Sequence, residues 1–269
     1  MSSSPTQTEW LVAAPALVAD VARSWGLTLG QAYPPGACGH VVRAELPDGT
    51  PAVLKVAWPH RESEHEADAL ERWGGNGAVR LLARDDECNA MLLERCEPGI
   101  CLSGSGEALD VLMGLLPRLW TSGDGFATLE SEAAIWAADI AQEVQDEALR
   151  DAALRYLSEL VPTQGEQVLV NQDMHGGNVL AAEREPWLVI DPKPLAGERE
   201  LALAPIVRSV ELGHSKREVL HRLDRLTAEL DLDRDRALGW TVAQTVAWSC
   251  GAEIFEPHTE VVRWLLEAA

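Results

Sequence analysis

The chain has 269 residues, 46% of them hydrophobic, which suits one large domain or two smaller ones around a buried core. Its formal charge of −21 repels nucleic-acid phosphates and anionic lipid, and no apolar run approaches the ~20 residues of a membrane span. Nucleic-acid and membrane partners are thus excluded, and the acidic surface serves either a cationic ligand or solubility alone.

The start, MSSSPTQTEW, has no basic segment followed by an apolar block, so no secretory signal is expected. The five cysteines (Cys38, Cys88, Cys96, Cys101, Cys250) are odd in number and lack C-x-x-C spacing. They read as reduced thiols of a cytoplasmic protein rather than a disulfide frame or a zinc site. EHEAD, around His65, lacks the second histidine of a zinc helix.

In chain order, apolar residues at helical spacing predict a helix over Thr8–Trp25, stopped by Gly26. Three strands follow, near Leu27–Tyr33, His40–Leu46 and Ala52–Trp58, with the Gly-containing turn PPGACG after the first and Asp48-Gly49 joining the other two. A charged helix is expected over Arg61–Trp73, ended by Gly74-Gly75. Strands at Val79–Ala83 and Ala90–Leu93 come next, and Glu94–Gly99 reads as a linker.

Beyond it the pattern turns helical, over Glu107–Leu119 and Glu130–Leu160. Short strands are expected at Val168–Val170, Val179–Ala181 and Trp187–Ile190. Helices close the chain at Leu201–Leu212, Lys216–Leu230, Asp233–Cys250 and His258–Glu267. The expected class is α+β and bilobal. Residues 1–94 would form an antiparallel sheet lobe with one inserted helix, 95–99 a hinge, and 100–269 a mostly helical lobe, with a ligand cleft between lobes.

The chemistry concentrates in VLVNQDMHGGNVL. Asp173 and Asn178 stand five residues apart, and Asp191 follows at the end of PWLVID. If Val179–Ala181 and Trp187–Ile190 form a hairpin, its open end brings Asn178 and Asp191 together. An amide oxygen and a carboxylate suit Mg²⁺, a hard ion that keeps some waters. Asp173 would then be free to orient an attacking hydroxyl, as phosphoryl transfer requires. Any one of these residues taken singly reads better as a polar turn cap, and only the three together, at these intervals between apolar strands, point to the chemistry.

AVLKVAW places Lys55 inside an apolar strand, where a charge is expensive unless paired. The next helix offers Glu62, Glu64 and Glu66; Glu66 shares a face with Leu70 and Trp73 and is the chosen partner. The alternative is a solvated lysine on an edge strand. Most tryptophans fall in helical patterns and read as packing.

VLVNQDMHGGNVL, WLVIDPKPLAGERE and AVLKVAW, supported by HEADALERW, GAVRLLARD and LLERCEPG, resemble the aminoglycoside and hydroxyurea antibiotic-resistance kinases, small phosphotransferases of protein-kinase-like fold. The resemblance covers roughly Tyr33 to Arg208 and implies an enzyme using ATP and Mg²⁺ to phosphorylate a hydroxyl of a small cationic acceptor, such as an aminoglycoside. It implies Asp173 as the catalytic aspartate, Asn178 and Asp191 on Mg²⁺, and Lys55 on the ATP phosphates, oriented by Glu66. The backbone of Glu94, Arg95 and Cys96 would meet adenine, and Gly36 and Gly39 would lie over the phosphates. Gln172 and His175 flank the loop. His175, with Glu253, Glu256 and Glu260 near the C-terminus, is a candidate for the acceptor. Relatives often carry aspartate where this chain has Ala202, which implies less support beneath the catalytic loop. That departure keeps open a second reading, a nucleotide-binding module without turnover; a third is a kinase of a cellular sugar or amino alcohol.

Overall fold

The computed structural model describes residues 6–34 and 39–269. The described residues divide into two compact units, one within Met1–Ile100 and Leu180–Lys193, the other within Cys101–Val179 and Pro194–Ala269.

The first unit is built on a five-stranded antiparallel sheet, in spatial order β1 (Thr28–Ala32), β2 (Gly39–Glu45), β3 (Pro51–Ala57), β5 (Ala90–Glu94), β4 (Leu81–Asp85). Helix α1 (Gln7–Trp25) opens with a capping box between Thr6 and Glu9 and ends on Gly26, in the left-handed conformation. Its buried stripe of Trp10, Ala14, Val18, Val21 and Ala22 packs on Val42, Ala44, Ala52, Leu54, Val56, Ala90 and Leu92 from the sheet. Helix α2 (Glu66–Trp73) is shorter than the sequence predicts. The Ser63 hydroxyl bonds the carbonyls of Trp58 and His60, and only a 3₁₀ turn forms over Arg61–Ser63. The hairpin of β7 (Val179–Ala181) and β8 (Trp187–Val189) joins this unit through residues 180–193. Val189 exchanges backbone bonds with Gly77 and Val79, and Ala181 does so with Gly99 and Ile100.

The second unit is mostly helical. Helices α3 (Ala108–Leu119), α4 (Leu129–Glu143), α5 (Glu147–Leu160), α7 (Lys216–Leu230), α8 (Arg234–Ser249) and α9 (Glu256–Leu266) accompany the short α6 (Ala204–Val207). Helix α8 is buried all round from Ala237 to Val246, as expected of a central helix. A Cβ on Gly239 would stand 2.7 Å from the Tyr156 ring, so this glycine lets α5 and α8 approach. Among the described residues, no helix is long and apolar enough to cross a membrane.

Two expectations need correction here, and one strand pairing was not foreseen. The helix predicted over Glu130–Leu160 is two helices. Val144 turns extended, and the Asp146 carboxylate caps α5 by accepting from the N–H groups of Ala148 and Leu149. The helix predicted over Leu201–Leu212 is only α6 between two 3₁₀ turns. The buried Arg222 guanidinium takes the carbonyls of Val207, Leu212 and Gly213 away from any helical ladder. Strand β6 (Gln167–Asn171) has an unforeseen antiparallel partner, β9 (Pro194–Glu198). Gly197 is needed there because Leu129 lies 3.1 Å from where its Cβ would be.

Candidate active site

Lys55 lies on β3, the middle strand, paired with Val41 on one side and Met91 on the other. The edge-strand alternative therefore does not apply. Its Nζ donates to both Glu66 carboxylate oxygens at 2.7 Å and also to Asp191. Lys55 is 8% exposed and Glu66 1%. Burial works against both charges. Two carboxylates around one ammonium nevertheless raise Lys55 above its ordinary value. Burial, with Asp191 nearby, leaves Glu66 above the ordinary carboxylate range despite Lys55. Gly39 gives the lysine its path, since a Cβ there would meet Lys55 Cε at 3.2 Å. Gly36 lies outside the described residues.

Asp191 follows β8, with its backbone in the left-handed region at φ 51. A non-glycine residue held there is strained, and such strain gathers at functional sites. Its carboxylate is 54% exposed. At the end of β5, the Glu94 carboxylate is bound by Arg184, Arg95 faces Glu97 at 2.6 Å, and Cys96 is buried. Burial pushes the Cys96 thiol up to about 11, so it stays protonated and inert.

In the second unit, β6 delivers the loop. The buried Asn171 side chain accepts the Asp173 N–H at 3.0 Å. Asn178 Nδ2 donates to the Asp173 carbonyl at 3.0 Å and lies 3.4 Å from its carboxylate. The loop is thus tied by its own residues, and Ala202 is buried in a 3₁₀ turn of the same unit. Behind it, the buried Arg208 donates to Gln244 at 2.5 Å, and Gln244 reaches the Gln172 carbonyl at 3.5 Å. Burial pushes the Arg208 guanidinium down to about 10, against the pull of Asp173.

His175 Nδ1 accepts the Gly177 N–H at 3.1 Å and lies 3.3 Å from Glu211, while Nε2 is 3.9 Å from Asp173. Glu211, on the turn Val210–Leu212, was not foreseen. It sits 36 residues from His175, and no spacing rule joins them. Glu253 and Glu256 are exposed, Glu256 facing Arg263 at 3.4 Å, and Glu260 bonds His214 at 2.8 Å.

Each unit carries an oxygen donor of the kind a hard divalent cation takes, Asn178 in the second and Asp191 in the first. Asn178 spends its amide N–H on Asp173, which leaves Oδ1 as the atom a metal takes, and Asp191 offers an accessible carboxylate. Among the described residues there is no cluster of three or more His, Cys, Asp or Glu that could hold a metal.

The family description "Aminoglycoside/hydroxyurea antibiotic resistance kinase" matches residues 25–253. The chain is similar to a streptomycin 6-kinase of Streptomyces griseus, 38% identical over 87% of this chain and 81% of the relative. It is similar to a hydroxyurea phosphotransferase of Kitasatospora aureofaciens, 38% identical over 94% of this chain and 78% of the relative. Among solved structures, the choline kinase LicA from Streptococcus pneumoniae aligns with a TM-score of 0.65 at 13% identity, covering 97% of this chain and 98% of that one. This last likeness is one of fold: the chain has a protein-kinase-like fold.

Proposed function

The chain belongs to the aminoglycoside/hydroxyurea antibiotic resistance kinase family and is a small-molecule kinase, and on that footing we propose that it uses ATP and Mg²⁺ to phosphorylate a hydroxyl of a cationic, aminoglycoside-like acceptor. The observation carrying this reading is the buried Lys55–Glu66 pair with Asp191 on the same ammonium. A buried lysine held in charged form by two carboxylates is set to bind phosphate oxygens, and Asp191 is the group that changes partner when a cation arrives.

In this proposal residues 1–94 carry the nucleotide, 95–99 act as the hinge, and 100–269 supply the catalytic loop and the acceptor site. Lys55 holds the α- and β-phosphates, oriented by Glu66. The backbone of Glu94, Arg95 and Cys96 meets adenine, and Gly36 and Gly39 cover the phosphates. Asn178 and Asp191 would hold Mg²⁺, which supplies charge neutralisation at the transferring phosphoryl group. Asp173 accepts a hydrogen bond from the acceptor hydroxyl and aims its oxygen at the γ-phosphorus. The new O–P bond forms as the bond to the β,γ-bridging oxygen breaks, ADP leaves, and the hydroxyl proton passes by way of Asp173. His175, held by Gly177 and Glu211, flanks the acceptor, with Glu253 and Glu256 as further candidates to meet its cationic groups.

The test is ADP release over a panel of aminoglycosides, hydroxyurea, sugars and amino alcohols, with and without EDTA. The expected result is turnover on an aminoglycoside that stops with EDTA and returns with Mg²⁺. Nucleotide binding without turnover on any acceptor would reject the reading.

A further inference from the structure

Arg184 lies on the turn between β7 and β8, in residues 182–186. Nε donates to Glu94 Oε1 at 2.7 Å and Nη2 to Glu94 Oε2 at 2.9 Å, the paired geometry in which arginine binds a carboxylate. Nη1 donates to the Gly75 carbonyl at 2.7 Å and to Glu185 at 2.8 Å, and Nη2 also reaches the Ala78 carbonyl at 2.9 Å. Glu94 Oε2 accepts the Arg80 N–H at 3.0 Å as well. Gly75 has φ +87, and a Cβ there would stand 2.8 Å from Arg80 and 3.5 Å from Arg184, so the backbone is shaped to admit both side chains. Burial pushes the Glu94 carboxyl up, but Arg184 and the Arg80 N–H outweigh it and hold it below its ordinary range.

One side chain thus joins three segments. Glu94 ends β5 and begins the stretch 94–96. The β7–β8 hairpin runs from Arg184 through β8 to Asp191, whose carboxylate meets Lys55. The segment Gly75–Ala78 leads to the bridge between Ala78 and Val189. We propose that Arg184 is a positioning residue for the nucleotide: it locks the segment that meets the base to the hairpin that carries Asp191, so both ends of the nucleotide find their partners already in register. The proposal rests on the nucleotide reading of 94–96 and Asp191 given above. A lock of this kind removes an ordering cost from binding, and its loss appears as weaker affinity for ligands that span both ends. A ligand touching only the phosphate end feels the loss far less.

The experiment is calorimetric titration of Mg²⁺–ADP and of inorganic tripolyphosphate into the wild type, Arg184→Met, Arg184→Lys and Lys55→Met, well below each protein's unfolding midpoint. Arg184→Met is expected to weaken ADP binding at least tenfold and tripolyphosphate binding less than threefold. Arg184→Lys, which keeps the charge without the fork, is expected to fall between and serves alone if the methionine variant does not fold. Lys55→Met is expected to weaken both ligands. A lowered unfolding midpoint with ADP affinity within twofold of wild type in the arginine variants would reduce Arg184 to a structural tie and overturn the inference by itself. Absence of ADP binding in the wild type, or no effect of Lys55→Met on either ligand, would overturn the nucleotide reading and the inference with it.

Discussion

Lys55 and Glu66 meet with both carboxylate oxygens 2.7 Å from one ammonium nitrogen, in surroundings where neither residue is more than 8% exposed. Breaking such a pair leaves an uncompensated buried charge, at a cost of about 3–5 kcal/mol. Lys55→Met is therefore expected to lower stability by roughly that amount in urea titrations. It leaves Glu66 and Asp191 facing each other without a cation. Glu66 already sits above its ordinary range through burial, and a folded-state value above the unfolded one favours the folded protein at low pH. The variant should accordingly gain stability as pH falls from 7 toward 5. Unchanged stability across that interval would mean that Glu66 is not held charged by Lys55.

Arg222 is 2% exposed and donates to the carbonyls of Val207, Leu212 and Gly213, fixing the segment that carries Glu211. Burial pushes its guanidinium down to about 10, still charged at neutral pH. Arg222→Met strands the buried Val207 carbonyl and the part-buried carbonyls of Leu212 and Gly213, and the expected loss is about 2–4 kcal/mol by urea denaturation. Limited proteolysis should then cut first between 207 and 215.

His258 is half-buried, hydrogen-bonded to the Ser249 hydroxyl at 2.8 Å. Burial, with Arg208 and His214 adding repulsion, pushes it down to about 4. A depressed folded-state value means that its contribution is fully present above the unfolded value of ~6.5 and is lost as pH falls toward 4. After discounting for partial solvent access, that loss is on the order of 2 kcal/mol. Stability of the wild type should drop between pH 6.5 and 4 with a slope that His258→Gln flattens.

The residues that proved legible in the sequence are those whose chemistry is local. Lys55 inside an apolar strand and Glu66 on the face of Leu70 and Trp73 follow from periodicity, and the structure brings the two together. Asp173 and Asn178 share one loop, and the Asn178 side-chain amide donates to the Asp173 carbonyl across five residues. The misses involve long-range partners. β9 contains Pro194 and Gly197 and does not look like a strand until β6 lies beside it and Leu129 packs on it. The break at Val144 depends on Asp146 choosing a capping role within a continuous helical pattern. Arg222, Arg184 and Glu211 reach partners 15, 109 and 36 residues away, which single-sequence spacing does not report.

The central claim is that Asp173 aligns the acceptor while other residues hold the nucleotide. Asp173→Asn keeps the side-chain volume and removes the charge. Steady-state transfer to the best acceptor, measured alongside Mg²⁺–ADP affinity, tests it directly. The account predicts a fall in kcat of about 10³ or more with ADP affinity within twofold of the parent. Transfer at the parent rate would contradict it.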